Sequence, residues 1–236
     1  MYRIGSVLLR RAGVFSALLL AFGLLLSSLL AQTASSTRTG SVVIADAGDP
    51  WWKHAVFYEI YPRSFQDTNG DGTGDLKGIT EHLGYLERLG VDAIWIAPMF
   101  PSPQVDFGYD ISDYRSVDPQ YGTLADMDQL IEEARKHHIR VLLDMVLNHT
   151  SDQNAWFKES RSSRTNAKRD WYVWADGTGP DKTKPPNNWE SLFGHSAWKF
   201  DPRTKQFYYH KFYVEQPDLN WRNPAVEKAM FDVLRF

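Results

Sequence analysis

Nine consecutive residues, Asp67-Thr68-Asn69-Gly70-Asp71-Gly72-Thr73-Gly74-Asp75, set side-chain oxygens at positions 1, 3, 5 and 9 of a loop. Gly72 falls at position 6, where a calcium loop of the EF-hand kind turns sharply, and Thr73 at position 7 offers a backbone carbonyl. A hard cation takes several oxygens at once, so Asp67, Asn69, Asp71, Thr73 and Asp75 are the expected ligands of one structural calcium ion. Position 12 is Gly78 rather than a bidentate Glu, and no helix is expected before the loop, so the motif is not a full EF-hand. The same residues also suit a plain Asx/Gly turn between a strand and a helix.

Two more polar clusters each follow an apolar run. Pro103-Gln104-Val105-Asp106-Phe107-Gly108-Tyr109-Asp110 comes after VDAIWIA, and Asn148-His149-Thr150-Ser151 comes after IRVLLDMV, which has Asp144 inside it. In parallel barrels the chemistry gathers at the C-terminal ends of strands, so both clusters are expected to line one pocket. Each residue also has a purely structural reading. Asp110 and Asp113 suit turns or caps, Asp144 a buried supporting carboxylate, His149 a satisfied structural histidine, and His137-His138 a solvated helix end.

The elements that must position these residues alternate in type. His54–Tyr61 reads as a strand stopped by Pro62. Leu76, Ile79, Leu83, Leu86 and Leu89 recur at helical spacing, with Gly90 placed to end the helix. Val91–Ala97 is a second strand, stopped by Pro98. Thr123 and Asp126 form a capping box for a helix whose apolar face carries Met127, Leu130, Ile131 and Ala134. Ile139–Val146 is a third strand, apolar on both faces, as in parallel sheets covered by helices. This rhythm predicts an α/β fold and leaves a doubly wound sheet and a (β/α)8 barrel both open. No glycine-rich phosphate fingerprint follows the first strand, which lowers the nucleotide-binding option. From 150 to 217 the helical period is lost, while tryptophans, prolines and glycines accumulate around a β-like run at Gln206–Phe212. So long a stretch is either functional or a small domain of its own. A last helix starts at Asn223, with Pro224 at its first position and Val226, Met230, Val233 and Leu234 on its apolar face.

The 236 residues carry 26 basic and 29 acidic side chains and no cysteine. The near-balance argues against a nucleic-acid partner, and the missing thiols exclude disulfides, thiolate zinc sites and cysteine nucleophiles. Residues 1–31 hold three arginines and no acid around an apolar run, Val14–Leu30, which is the pattern of a cleaved export signal. The alternative is an uncleaved membrane anchor, and without it no membrane partner is expected. Residues 32–50, rich in Ser, Thr, Gly and Ala, read as a linker.

Asp144-Met145-Val146-Leu147-Asn148-His149 resembles the first signature region of the α-amylase family of glycoside hydrolases. Gln216-Pro217-Asp218-Leu219-Asn220 is similar to the fifth region of its oligo-1,6-glucosidase and α-glucosidase branch. The Asp67–Asp75 loop, Gly108–Tyr114 and Ser196-Ala197-Trp198 match that branch too, in the same order from about Trp51 onward. The resemblance implies the N-terminal part of a (β/α)8 TIM barrel, strands one to three, with a small domain B inserted after strand three. Residues 51–149 would begin barrel domain A, 150–217 form domain B, and 218–236 return into domain A. It implies that Tyr109 stacks on the sugar, that Asp106 and His149 bind its hydroxyls, and that Gln216 lines the pocket near domain B. The implied protein is an exported, exo-acting, retaining α-glucosidase of carbohydrate metabolism acting on α-glucoside oligosaccharides. The family's nucleophile, acid/base and third carboxylate follow strands four, five and seven. No catalytic residue is therefore expected in this chain, which alone is expected to be inactive. A transglycosylase such as a sucrose isomerase or trehalose synthase, and a non-catalytic calcium-dependent sugar-binding protein, are the alternatives.

Overall fold

The computed structural model describes residues 48–236, so the export segment and most of the linker lie outside the described residues. The chain divides into two compact units, residues 1–54 and 55–236. In the first, the described residues hold one 3₁₀ turn, Trp51–Lys53, beside an ion pair of Lys53 with Asp49 at 2.7 Å. The second unit carries the strands, the helices and both polar clusters.

Strand β1 (Phe57–Ile60) is followed by three short helices, α1 (Pro62–Phe65), α2 (Leu76–Glu81) and α3 (Leu83–Leu89). Strand β2 (Ala93–Ile96), helix α4 (Leu124–Lys136) and strand β3 (Arg140–Leu143) come next. The three strands form one parallel sheet in the order β1-β2-β3, with Ile60 opposite Ile96 and Ile96 opposite Leu143. Ile60, Ile94 and Ile96 from the sheet bury their side chains in one core with Leu76, Ile79, Leu83, Leu86, Met127 and Leu130 from the helices. Strand, helix, parallel strand is the unit that covers an apolar sheet face with amphipathic helices, and it occurs here twice.

Local chemistry sets the helix ends. Asp75 accepts from the Gly78 N–H at 2.7 Å and starts α2, while Thr123 and Asp126 close their capping box at α4. Gly90 ends α3 at φ 87°, a left-handed position that favours glycine. The single helix expected over Leu76–Leu89 is broken at His82, whose Nδ1 lies 2.9 Å from the Gly78 carbonyl. The apolar stripe survives the break as far as Leu86, but Leu89 is more than half exposed. Ile131 of α4 also falls outside the core, and Leu142 and Leu143 of β3 are over a third exposed. β3 is the edge of the sheet among the described residues, so its apolar composition is not matched by burial. Contrary to expectation, a helix, α1, precedes the Asp67 loop; Pro62 opens it and it lasts one turn.

After β3 the chain forms α5 (Ala155–Ser162), a 3₁₀ turn at Arg169–Trp171, and strands β4 (Trp174–Ala175), β5 (Trp198–Asp201) and β6 (Gln206–Tyr209). These strands make a second, antiparallel sheet in the order β4-β6-β5. Helix α5 leaves no periodic signal because its apolar residues, Trp156 and Phe157, are adjacent rather than repeated; the Asn154 cap, accepting from Trp156 N–H at 2.9 Å, is its only readable mark. Phe157 packs on Tyr172, Trp174 and Tyr208, with ring centroids 5.0 to 5.8 Å apart. Arg169 lies over the Trp174 ring at 3.4 Å and donates to Ser160, Thr204 and Gln206, so a buried cation ties the helix to the sheet. Helix α6 (Pro224–Leu234) begins at the Asn223 cap and buries Val226, Met230 and Val233, leaving Leu234 exposed.

Candidate functional site

The loop after β2 is shaped by one carboxylate. Asp110 is fully buried; its Oδ1 accepts from Ser102 Oγ at 2.8 Å and Asp106 N–H at 3.0 Å, and its Oδ2 from Val105 N–H at 3.1 Å. Three donors from one stretch of loop onto one side chain bend the backbone so that Gln104, Phe107 and Gly108 take φ values of 63°, 51° and 104°. Gly108 is required there, since a Cβ would stand 2.8 Å from the Pro98 carbonyl. Asp110 is thus the turn-forming residue that its structural reading described, and Asp113 is too, accepting from Arg115 N–H and Ser116 Oγ.

This bend delivers Asp106 and Tyr109. Asp106 Oδ2 accepts from the Gln216 Nε2 amide at 2.8 Å, and Gln216, fully buried, accepts the Tyr213 N–H at its other end. Tyr109 donates its hydroxyl to Asp144 Oδ2 at 3.0 Å, which fixes its half-buried ring. Burial first, and the Asp144 carboxylate second, push the Tyr109 hydroxyl up to about 12, so it stays a donor. Asp144 at the end of β3 therefore supports Tyr109.

His149 is buried, and its Nε2 lies 3.1 Å from the Tyr109 carbonyl while its Nδ1 faces Asn148 Nδ2 at 3.2 Å. Burial holds its pKa below the ordinary histidine value, so the ring is neutral at pH 7. The Tyr114 hydroxyl lies 2.9 Å from the carbonyls of both Val146 and His149 and fixes the backbone beneath. All four residues expected at a sugar pocket are thus gathered: Asp106 bonds Gln216, and Tyr109 meets His149. The sequence does not point to Phe212, whose ring lies 5.2 Å from His149, nor to Phe193, stacked on Tyr213 at 4.2 Å. Nothing in their spacing marks them, because the turns between β4 and β5 and after β6 bring them there.

The two ends of the 150–217 segment run side by side. His149 and Asp218 form an antiparallel bridge, with Leu219 N–H donating to the Asn148 carbonyl at 2.9 Å. Asp218 accepts from Asn148 Nδ2 at 2.9 Å and Lys211 N–H at 2.7 Å. Burial outweighs both donors and raises its pKa from 3.8 to about 6. The folded chain holds this proton more tightly than the unfolded one. Its contribution is full below about pH 4 and is lost as pH rises through about 6. In a His149→Gln background, where that ring cannot titrate, stability relative to the added Asp218→Asn change is expected to decline over that window by on the order of 3 kcal/mol. Urea denaturation of both proteins from pH 4 to 7.5 checks this; a constant difference would contradict it.

His137 is not the solvated helix end its position suggests: its Nδ1 lies 2.8 Å from Glu87 Oε2, tying α4 to α3. The Asp67–Asp75 loop is a series of Asx turns. Asp67 accepts from Asn69, Gly70 and Gly72 N–H, Asn69 from Asp71 N–H, and Asp71 from Thr73 N–H. Gly72 and Gly70 hold the Asp67 carboxyl below its ordinary pKa. Asp75 also makes hydrogen bonds of its own. It is buried, with one oxygen capping α2 and the other accepting from Thr68 N–H and Oγ1. Among the described residues no three Asp, Glu or His side chains are grouped to hold a metal. The oxygens of Asp67, Asn69 and Asp71 and the Thr73 carbonyl remain as a donor set of the kind hard cations take.

The family description "Alpha amylase, catalytic domain" matches residues 59–236. A "Probable alpha-glucosidase" of Rhizobium meliloti (strain 1021) is 61% identical over 186 residues, 79% of this chain and 33% of the relative. An "Oligo-1,6-glucosidase" of Heyndrickxia coagulans is 56% identical over 186 residues, with the same shares. The crystal structure of the trehalulose synthase MutB from Pseudomonas mesoacidophila MX-45 superposes with a TM-score of 0.77 at 55% identity, over 80% of this chain and 33% of that one. The chain spans about a third of the length of these relatives. The parallel sheet is accordingly the N-terminal part of a (β/α)8 barrel, and the α/β rhythm of the sequence is explained.

Proposed function

The chain belongs to the alpha-amylase family, and from that premise we propose that it builds one wall of the sugar pocket of an exo-acting α-glucosidase or oligo-1,6-glucosidase. The observation that carries this reading is the Asp106–Gln216 bond at 2.8 Å beside Tyr109 and His149. A carboxylate with one oxygen held by a buried amide is a rigid acceptor for sugar hydroxyls, and rigid acceptors lose little entropy on binding. Tyr109, pinned through Asp144, offers a fixed aromatic face to a sugar ring. In this reading the Nε2–H of His149 is shared between the Tyr109 carbonyl and a sugar hydroxyl. Residues 51–149 begin domain A, 150–217 form domain B and 218–236 return to domain A.

Retaining hydrolysis needs a nucleophilic carboxylate and a carboxyl acid/base. We assign neither to this chain; in our reading strands beyond the described three carry them. The test is an assay of the complete gene product on maltose, isomaltose and an aryl α-glucoside. Hydrolysis is expected, with Asp106→Asn lowering kcat/KM by about a hundredfold, as for loss of a charged hydrogen bond made in the transition state. No turnover on any α-glucoside would refute the reading. The likeness to a trehalulose synthase favours one second reading, transfer rather than hydrolysis. Faster isomerisation than hydrolysis of sucrose would select it.

We further propose that the Asp67 loop binds one structural calcium ion through Asp67, Asn69, Asp71 and the Thr73 carbonyl, with Asp75 joining only if it gives up a loop hydrogen bond. Oxygen-only donors and the left-handed glycines Gly70 and Gly72 support this. At calcium a hundredfold above Kd, Tm should rise by roughly 5–10 °C, and chelator should reverse the rise. Asp71→Ala should abolish the calcium response. Equal Tm with calcium and with chelator would rule the ion out.

A further inference from the structure

The amide of Asn148 has two N–H groups, and the structure gives each a different acceptor. One faces Asp218 Oδ1 at 2.9 Å and the other His149 Nδ1 at 3.2 Å. The far nitrogen of that ring, Nε2, faces the Tyr109 carbonyl at 3.1 Å, and a carbonyl only accepts. With Asp218 ionised, these contacts permit a single proton arrangement. Turning the amide over would set its oxygen against the Asp218 carboxylate. Moving the ring proton to Nδ1 would set N–H against N–H there, and lone pair against lone pair at Tyr109. Asn148 is itself exposed, so its side chain has no packing to orient it, whereas Asp218 and His149 are both buried. Asp218 is held in turn by the Lys211 backbone N–H at 2.7 Å, a donor that cannot rotate away.

We propose that Asp218 is a positioning residue that acts through Asn148 to hold His149 as the neutral Nε2–H tautomer, with that proton directed at the Tyr109 end of the site. The proposal deepens the sugar-pocket reading above and rests on it for its meaning in function. Asp218 lies where the 150–217 segment rejoins the barrel part, and His149 where that segment leaves it. The tautomer presented to the pocket therefore depends on how the segment is seated.

The isosteric change Asp218→Asn makes a sharp test. Lys211 N–H must keep an oxygen partner, so the amide introduced by the substitution turns its nitrogen toward Asn148. Asn148 then turns over to present its oxygen, and that oxygen faces His149 Nδ1. The ring must protonate Nδ1, as the Nδ1–H tautomer or as the imidazolium held between two carbonyls. The ¹⁵N shifts of the histidine rings in the 236-residue protein at pH 7.5, with His149 assigned by its loss in His149→Gln, read this directly. Wild type should show an unprotonated, pyridine-like Nδ1 and a protonated Nε2. Asp218→Asn should show a protonated Nδ1. A wild-type His149 carrying its proton on Nδ1 overturns the proposal, and so does an unprotonated Nδ1 in a folded Asp218→Asn. If that variant does not fold, Asn148→Ala decides: it should shift the unprotonated Nδ1 away from its amide-bonded value toward the water-bonded one, and an Nδ1 shift equal to the wild type would show that Asn148 makes no bond to the ring and would overturn the proposal. The measurement needs no sugar. A tautomer switch without α-glucoside turnover by the complete gene product would keep the positioning role and defeat the functional reading; turnover without a switch would do the reverse.

Discussion

Asp110→Ala is expected to lower stability by about 3 kcal/mol and to release the loop after β2. The side chain is fully buried and is the acceptor for two backbone N–H groups and one hydroxyl. Each donor left without a partner in a buried place costs roughly 1–3 kcal/mol, although some would regain water once the loop loosens. The loop would then relax from the left-handed conformations at Gln104 and Phe107, which cost on the order of 1–3 kcal/mol each and persist only while the surroundings impose them. Asp106 would move off Gln216, and Tyr109 off Asp144. Asp110→Asn keeps the volume and one acceptor oxygen and should lose less than half as much. Asp113→Ala is the control: its bonds to Arg115 and Ser116 are exposed, and its cost should stay within about 1 kcal/mol. Chemical denaturation gives the stabilities. A cost for Asp110→Ala no larger than that for Asp113→Ala would show that the carboxylate does not shape the loop.

Two glycine substitutions one short helix apart should change stability in opposite directions. A Cβ at Gly78 in α2 would stand 2.2 Å from the Gln66 carbonyl oxygen and 2.7 Å from the Gln66 Cβ. That carbonyl is not free to retreat, because it accepts from Asp75 N–H at 2.9 Å. A clash of backbone on a new methyl group outweighs the gain of up to about 1 kcal/mol that alanine brings to a helix. Gly78→Ala should therefore destabilise by roughly 2–3 kcal/mol, lowering Tm by about 5–10 °C. At Gly84 in α3 the nearest atoms to a new Cβ are 3.5 Å and 3.7 Å away, both at side-chain tips. Gly84→Ala should stabilise by about 0.5–1 kcal/mol through helix propensity and a less flexible unfolded chain. Thermal melts of the two variants and the wild type settle the signs. Equal effects would mean that α2 does not sit this close to α1.

The sequence by itself determined the alternation of strands and helices. Leu76, Ile79, Leu83, Leu86, Met127, Leu130 and Ala134 are buried as their helical spacing required, because a repeat of 3.6 residues fixes which side chains share a face before any tertiary contact exists. Caps were equally readable at Thr123, Asn223 and Gly90, since each is decided by bonds within a few residues. Signature stretches around His149 and Gln216 pointed to the family. Tertiary structure alone decided three other matters. Leu89, Ile131 and Leu142 are exposed despite their pattern, because burial depends on a neighbouring element and not on period. Asp75 spans two elements, with one oxygen on the Gly78 N–H of α2 and the other on Thr68 in the loop, a division that no spacing announces. Asn148 and Asp218 are 70 residues apart, and only the return of the 150–217 segment to its starting point brings one carboxylate within reach of His149 through one amide. A hydrogen bond of that range leaves no spacing in the sequence, because chain separation says nothing about where two ends of a long excursion meet.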